Sequence, residues 1–589
     1  MILASLRNLA IREGLVSEPT FESKGVRWVI HIDKWGDFVS LESTLSDPVS
    51  DEKGRKARPQ PVMMSIPRRC GKTSNIAADF LIDKSEYVLG ITPEGKSVSK
   101  KADKAEKCRQ AFLDLMSRAS RETDFPPLHA AVAFLARDEQ RELCIAELNK
   151  SKWASNDLFT FACDLKQLQG DPDIRRWWSG QSRSDVELEL RQCVICGERR
   201  TPVDVHDSLK VPGGVTSGVP LVSFNSPAFE KYGLSRNDNA PVCRTCMTAY
   251  VEGLRRCLNE RFPNPHDPTQ MLGQQSVRLS SNTTAVYWTD TPWNMAGQLT
   301  WLLDRPSDLK AVLLSPRSGT QLEKLDGAFY CLILTGAQGR AILRSMHMGT
   351  VAQVEQALHN YFAALELEGR DPAEPLPLYS LLKSLAPREK LDRLPPNLPG
   401  DVFLNAVLQR PLPRLILSAA VARNRAEQKV TPARAALLQL CFSNHKPEVP
   451  HMSLDTEFRD PGYLFGRLFA VLERVQSLAS PGVNATIVDR FYGAASTRPG
   501  TVFPQLIRLN QAHLPKVPAS RSPDWYRKLT GEIMDGFPSQ FAPTLDLPQQ
   551  GLFALGYYHQ RQAFYRKAPI PQVSAETTTT ETGGEGGTQ

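Results

Sequence analysis

The sequence predicts an α+β multidomain chain. A mixed α/β N-terminal and central region carries an embedded four-cysteine subdomain, and a C-terminal α-helical bundle follows. Three observations carry this expectation. Apolar alternation at 26–33 and an apolar run at 328–334 have strand character. Two Cys-x-x-Cys pairs, Cys193/Cys196 and Cys243/Cys246, bracket a turn- and glycine-rich stretch. Beyond residue 450 the apolar residues recur at helical spacing. At 589 residues the chain exceeds what one core can serve. The expected organisation is an N-terminal region 1–190, a central region 191–290, an α/β-to-helical connecting region 291–450, a helical bundle 451–570 and a disordered tail 571–589.

The elements follow in order. MILASLRNLAIREGL carries Arg7 and Arg12 inside its apolar pattern, so it reads as a short amphipathic helix and lacks the apolar core of a signal peptide. VRWVIHID reads as a half-buried strand, and FLIDKSEYVLGI as a further ordered element. In SKKADKAEKCRQAFLDLMSRAS, Lys100, Lys104 and Lys107 share one helix face, either a solvated surface or a phosphate track. PLVSFN and TAVYW are short β-like pieces, AFYCLIL is a buried strand, and VAQVEQALHNYFAALEL is a helix. The prolines of 371–413 mark a connection. Four helical stretches then begin at GYLFGRLFAVLERVQSLAS, TIVDRFYGAAS, TVFPQLIRLNQAHL and FALGYYHQRQAFYRK. The final SAETTTTETGGEGGTQ holds too little apolar surface to order.

The net charge is a mild +7, which permits a nucleic-acid partner without requiring one. Eleven cysteines, no leader pattern and no apolar run of about 20 residues point to a reducing, cytoplasmic, membrane-free setting. The two cysteine pairs, 46 residues apart, can supply four thiolates to one tetrahedral ion, the arrangement of structural Zn²⁺. With all four positions filled, no site is left for a catalytic water. His206 and His266 lie nearby in sequence. CGKTS at 70–74 fails as a phosphate loop, because the required upstream glycine is Ile66 and Pro67 removes an amide donor. That segment instead offers Arg68, Arg69, Lys72, Thr73, Ser74 and Asn75 to phosphates and base edges, or is an exposed loop. In the C-terminal helices, Leu464, Leu468, Leu472, Val475 and Ala479 form an apolar stripe, with Arg467 and Arg474 on a neighbouring face. Arg490, Arg498, Arg508 and Lys516 follow. Residues 452–570 hold 13 Lys/Arg against 9 Asp/Glu, so this bundle is a reasonable surface for a backbone, or simply carries solvated charge.

Several blocks together resemble a known family, the Csd-type large subunits of the type I-C CRISPR Cascade complex. They are the MIL start, IPRRCGKTSNIAADFLIDKSEYVLGI at 66–91, and VHDSLKVPGGVTSGVPLVSFNSPAFEKYGLSRNDNAPV at 205–242. AVYWTD, FYCLILTGAQGRAILRSMHMGTV, GYLFGRLFAVLERVQ, TIVDRFYGAAS and FALGYYHQRQAFY continue the likeness almost to the end. The resemblance implies a non-enzymatic subunit. It would read a short PAM on target double-stranded DNA, help open the R-loop, hold the displaced strand and recruit a separate helicase-nuclease. Implied partners are the guide-RNA-bearing backbone subunits, the subunit capping the guide RNA 5′ end, and a small subunit.

On this resemblance Arg68, Arg69, Lys72, Thr73, Ser74 and Asn75 become the expected duplex contacts, with Asn225 second. Lys100, Lys104, Lys107, Arg467, Arg474, Arg490, Arg498 and Lys516 become expected backbone or displaced-strand contacts. The C-terminal helices resemble the small-subunit bundle, and Met452 is the expected internal start of a separate small subunit. The family pattern has a single Cys before Thr-Gly-Glu and no CRTC, so the zinc expectation rests on spacing in this chain alone. The alternative class is a zinc-containing nuclease or helicase accessory acting directly on DNA. It would need acidic metal clusters or a true phosphate loop.

Overall fold

The computed structural model describes all residues except 1, 17–19, 46–60, 68–75, 93–98, 182–189, 216–217, 225, 260–261, 265–266, 294, 315–326, 338, 444–452, 539 and 566–589. It divides into two compact units, Met1–Thr300 with Glu323–Val351, and Trp301–Leu322 with Ala352–Gln589. The expected segment 68–75, Asn225 and Met452 lie outside the described residues, as does the side chain of Lys100.

The first unit begins with α1 (Ile2–Arg12). The strands β1 (Phe21–Val26), β2 (Trp28–Ile32), β3 (Phe38–Ser43), β4 (Val62–Pro67) and β5 (Asp83–Lys84) follow. Next come helices α2 (Ser85–Val88), α3 (Ser99–Thr123), α4 (Pro126–Ala136) and α5 (Asp138–Leu148), then strands β6 (Leu158–Cys163) and β7 (Lys166–Gln167), then α6 (Pro172–Gln181). Five strands form one sheet in the order β3-β2-β6-β5, with β7 on β6. Only β2 and β6 run parallel, Trp28 facing Phe159, and the intervening helices supply the crossover that a parallel pair needs. The strand expected to be half-buried is buried on both faces: Trp28, Val29, Ile30 and Ile32 are all covered. The reason is its central place in the sheet, with α4 packed on β2 and β6. A separate antiparallel ladder pairs β1 with β4, Phe21 opposite Pro67. The chain leaves that ladder immediately before the basic segment 68–75.

The rest of the unit holds short strands β8 (Arg191–Gln192), β9 (Arg199–Arg200), β10 (Ser208–Leu209) and β11 (Val219–Pro220), then helix α7 (Arg244–Leu258). Strands β12 (Phe262–Asn264), β13 (Asp267–Leu272), β14 (Ser276–Arg278), β15 (Thr283–Thr289), β16 (Ala328–Ala337) and β17 (Arg340–Thr350) complete it. Among the described residues of PLVSFN, Pro220 alone joins a strand, β11. The last four strands form an antiparallel sheet in sequence order. AFYCLIL is its buried centre, as expected, and TAVYW is the buried β15.

The second unit is helical: α8 (Pro306–Leu314), α9 (Val351–Ala364), α10 (Leu378–Leu385), α11 (Leu398–Leu408), α12 (Arg414–Glu427) and α13 (Pro432–Ser443). Then come α14 (Pro461–Ala479), α15 (Ile487–Ala495), α16 (Pro499–His513), α17 (Pro523–Met534) and α18 (Leu547–Ala563). The proline-rich connection expected at 371–413 therefore contains two buried helices, α10 and α11. Their prolines stand at or before the first turn, where no amide partner is lost.

The bundle centres on α14 against α18. α14 is not the one-sided helix its apolar stripe suggested, because Gly462 through Leu472 are all buried. Glycines make that possible. A Cβ on Gly466 would lie 2.0 Å from the Phe553 carbonyl oxygen, and one on Gly556 2.2 Å from that of Tyr463. The two backbones touch, and aromatic rings such as Phe469, Tyr492 and Tyr557 pack around the contact.

Candidate metal centre and nucleic-acid interface

Cys193 and Cys196 sit on a tight turn between β8 and β9, closed by Gly197 at φ +77°. Amides from both halves point at sulfur: Ile195 N–H of the turn donates to Cys193 Sγ at 3.5 Å, and the Cys243 amide does so at 3.4 Å. Cys243 is the residue preceding α7, and Cys246 lies in that helix's first turn, where the helix dipole favours negative charge. Backbone bonds from Val194 to Pro241 and from Val203 to Val242 bring the two halves together. The four Sγ atoms lie within 4.8 Å of one another, and Cys196 and Cys243 are 3.9 Å apart. Sulfurs about 2.3 Å from a tetrahedral ion stand roughly 3.8 Å apart, so this is the spacing of a metal tetrahedron and far from a disulfide. Burial opposes the Cys193 thiolate, but the surrounding amide donors outweigh it and bring the thiol down to about 7. The quartet can hold a metal ion such as zinc. Among the described residues it is the one cluster of three or more metal-ligating side chains.

The helix that starts at this centre also anchors the chain's beginning. α1 lies so close on α7 that a Cβ on Gly253 would be 2.4 Å from the Leu6 carbonyl oxygen. The buried Arg256 pairs with Glu13 at 2.9 Å. Nearer the start of α7, the Tyr250 hydroxyl pairs with Nδ1 of His206. Burial pushes the His206 imidazole down to about 4 against the opposing pull of Asp207, so it is neutral near pH 7. His206 is thus a partner of α7 and stands apart from the four thiols. His266 lies outside the described residues.

The expected backbone contacts fall into different environments. Lys104 and Lys107 are exposed on α3, with Lys107 paired to Asp103 at 2.8 Å. Arg490, Arg498, Arg508 and Lys516 are exposed in the bundle. Arg474 is half-buried, its guanidinium over Tyr565. Arg467 is a correction. It is 3 % exposed and bonds Gln560 Oε1 at 3.2 Å and the Thr456 carbonyl at 3.4 Å, so it tethers α14 to α18 and is closed to a backbone. Burial lowers its pKa.

Sequence reasoning missed a cluster at one end of the bundle. Trp525 is 49 % and Tyr565 63 % exposed. Trp525 lies edge-on to Tyr526, and both approach Phe564. Lys516, Arg521, Arg527 and Lys528 are exposed on and just before α17, with Arg527 paired to Asp524 at 2.6 Å and Lys528 3.8 Å from Glu532. Aromatic faces beside cations form a surface suited to unpaired bases. The signal in sequence was RSPDWYRK, where a tryptophan and a tyrosine sit among basic residues.

A family model for CRISPR-associated protein (Cas_Csd1) matches residues 5–565. The chain therefore belongs to the Csd1 family of CRISPR-associated proteins, the large-subunit family of type I-C Cascade that the sequence blocks resemble. Membership makes it a component of a CRISPR effector complex that works with other Cas subunits and a guide RNA. No curated protein matches the chain. Among the described residues, no helix is long and apolar enough to cross a membrane.

Proposed function

We propose that this chain reads the PAM on target duplex DNA, helps open the R-loop, holds the displaced strand and recruits the separate helicase-nuclease, leaving cutting to that partner. Arg68, Arg69, Lys72, Thr73, Ser74 and Asn75, which follow β4 directly, are the duplex contacts in this reading, with Asn225 second. The exposed cations Lys104, Lys107, Arg490, Arg498 and Lys516 follow backbone. The four cysteines hold a structural zinc. The observation that carries the displaced-strand role is the basic and aromatic face around Trp525, because stacking with nearby charge binds single strands without demanding a sequence.

Two variant pairs, assembled into the complex with its other subunits, test these roles on one series of targets. Lys72→Ala with Asn75→Ala is expected to flatten the difference between correct and altered PAM. Unchanged discrimination would remove both residues as readers, and a uniform loss with a shallower salt slope would make them phosphate contacts. Trp525→Ala with Tyr565→Ala should weaken single-strand binding at least about 5- to 150-fold, the range for losing one of the two stacks. Equal affinity in the variant would end the displaced-strand assignment. The same samples with Mg²⁺ and no nuclease should leave DNA intact.

The helices from α14 onward act in this reading also as a separate small subunit begun at Met452. Mass spectrometry of the purified complex is expected to find a C-terminal product starting there. A complex containing only full-length chain would refute it.

A further inference from the structure

Two hairpin tips stand side by side at one end of the sheet that contains β3, β2, β6 and β7. β2 turns into β3 through residues 33–37, and β6 turns into β7 through Asp164 and Leu165. Ile32 and Cys163, at the end of the parallel pair, are in register, and the Asp164 amide donates to the Ile32 carbonyl at 3.2 Å. At the strand spacing of a sheet, the centres of two neighbouring hairpins lie about 10 Å apart. Each tip holds a large apolar side chain in solvent: Trp35 is 68 % exposed and Leu165 85 %.

Both tips are held in place. Asp33 Oδ1 accepts from the Trp35 and Asp37 amides, each at 2.8 Å. Arg137 donates to the Asp37 carboxylate at 2.7 Å and to the Trp35 carbonyl at 2.8 Å. Lys34 Nζ lies 5.1 Å from the centre of the Trp35 ring, over its face. In the other tip, Asp164 and Leu165 have φ of +48° and +66°. A two-residue hairpin turn of this kind needs positive φ at both positions and favours glycine at the second. Glycine at 165 would relieve the backbone and take an apolar side chain out of water, so the fold by itself has no use for leucine there. A strained, exposed leucine beside a fixed, exposed tryptophan is a feature of contact.

The charge at the tips decides the class of partner. In the two turns and the arginine packed on them, Lys34, Lys166 and Arg137 are matched by Asp33, Asp37 and Asp164. This end is balanced, whereas a surface for phosphate backbone needs a cationic excess. Leucine also offers no π face to a base. Rigid apolar anchors rimmed by balanced charge have the anatomy of a protein contact. We infer that Trp35 and Leu165 form a two-point anchor seated in an apolar recess of another protein subunit of the effector complex, one that stays bound beside this chain. A lasting neighbour suits them better than a visiting one, because it keeps both side chains covered throughout. The inference rests on membership of a multisubunit complex and on none of the DNA contacts proposed above.

The test purifies the complete complex through a tag on another subunit and follows release of this chain on dilution by native mass spectrometry. Trp35→Ser is expected to weaken retention about 30-fold, the threshold of an interface hot spot, and Leu165→Gly about tenfold or more. Leu165→Gly should melt no lower than wild type, because glycine accepts the positive φ, so its loss of retention is not a loss of fold. In the assembled complex, p-benzoylphenylalanine in place of Trp35 should crosslink to a protein subunit. Crosslinks to nucleic acid alone, or variants that assemble normally and lose DNA affinity, would make the tips a strand contact and overturn the inference. Variants that assemble normally and fail only to engage the separate nuclease would overturn it as well, by making the partner a visitor. Unchanged retention in both variants would end the anchor whatever the crosslink. Retention is measured before DNA is added, so a complex that holds this chain through the tips and binds no PAM-bearing target would sink the DNA-reading role and leave the anchor standing.

Discussion

Replacing Gly466 by alanine is expected to destabilise the helical unit by about 2 kcal/mol or more, and by valine further still. Two opposing effects decide the sign. Alanine favours a helix interior over glycine by about 1 kcal/mol. Against that, the added Cβ would lie 2.0 Å from the Phe553 carbonyl oxygen and 2.7 Å from the Tyr557 amide nitrogen. Both obstacles are backbone of α18, so no side chain can rotate away. α14 and α18 must separate by more than 1 Å, which loosens the ring packing of Phe469 against Phe553 and Tyr557 and stretches the Tyr463–His559 and Arg467–Gln560 bonds. Overpacking of this kind typically costs about 1–3 kcal/mol, and an unyielding neighbour places it at the upper end. Gly531→Ala in α17 is the control, because nothing lies within 4 Å of its added Cβ. It should gain a few tenths to about 1 kcal/mol. Chemical denaturation followed by circular dichroism measures both. A Gly466→Ala variant as stable as wild type would mean that the two helices do not meet at this glycine.

The same helix shows what could be read in advance and what could not. Its length and helical character were legible in GYLFGRLFAVLERVQSLAS because apolar spacing is a property of one segment. The fate of Arg467 was not. Spacing places Arg467 and Arg474 near one another, but only the approach of α18 decides that one is sealed beside Gln560 while the other reaches Tyr565. The cysteine centre was legible because each pair needs only a local turn, and the two turns then need to meet once. The buried helices α10 and α11 were hidden because proline before or within a first turn reads, in sequence, like proline in a loop. His206 looked like any lone histidine, since its partner Tyr250 stands 44 residues away.

Loss of the metal is expected to have the largest effect on the central region. Purified protein should carry about one zinc per chain by elemental analysis, and Cys193→Ser or Cys243→Ser should carry little. Apparent binding free energies of about 10–16 kcal/mol in small zinc-dependent folds are as large as the whole stability of a typical domain, about 5–15 kcal/mol, so this region should not keep its fold when the ion is removed. The damage should spread along one path. Cys243 starts α7, and α7 holds α1 through the contact at Gly253 and the Arg256–Glu13 pair. It also holds His206 through Tyr250. Chelation or Cys243→Ser should therefore expose α1 and the 204–239 insert to hydrogen exchange, while the β2–β6 sheet, with its own hydrophobic core, keeps its protection. Acid should act in the same direction, because a thiol must lose its proton before it can bind metal and protons compete for the thiolate as pH falls. Protein that contains no metal, with a Cys243→Ser variant whose exchange is unchanged in α1 and α7, would reduce the quartet to four neighbouring thiols.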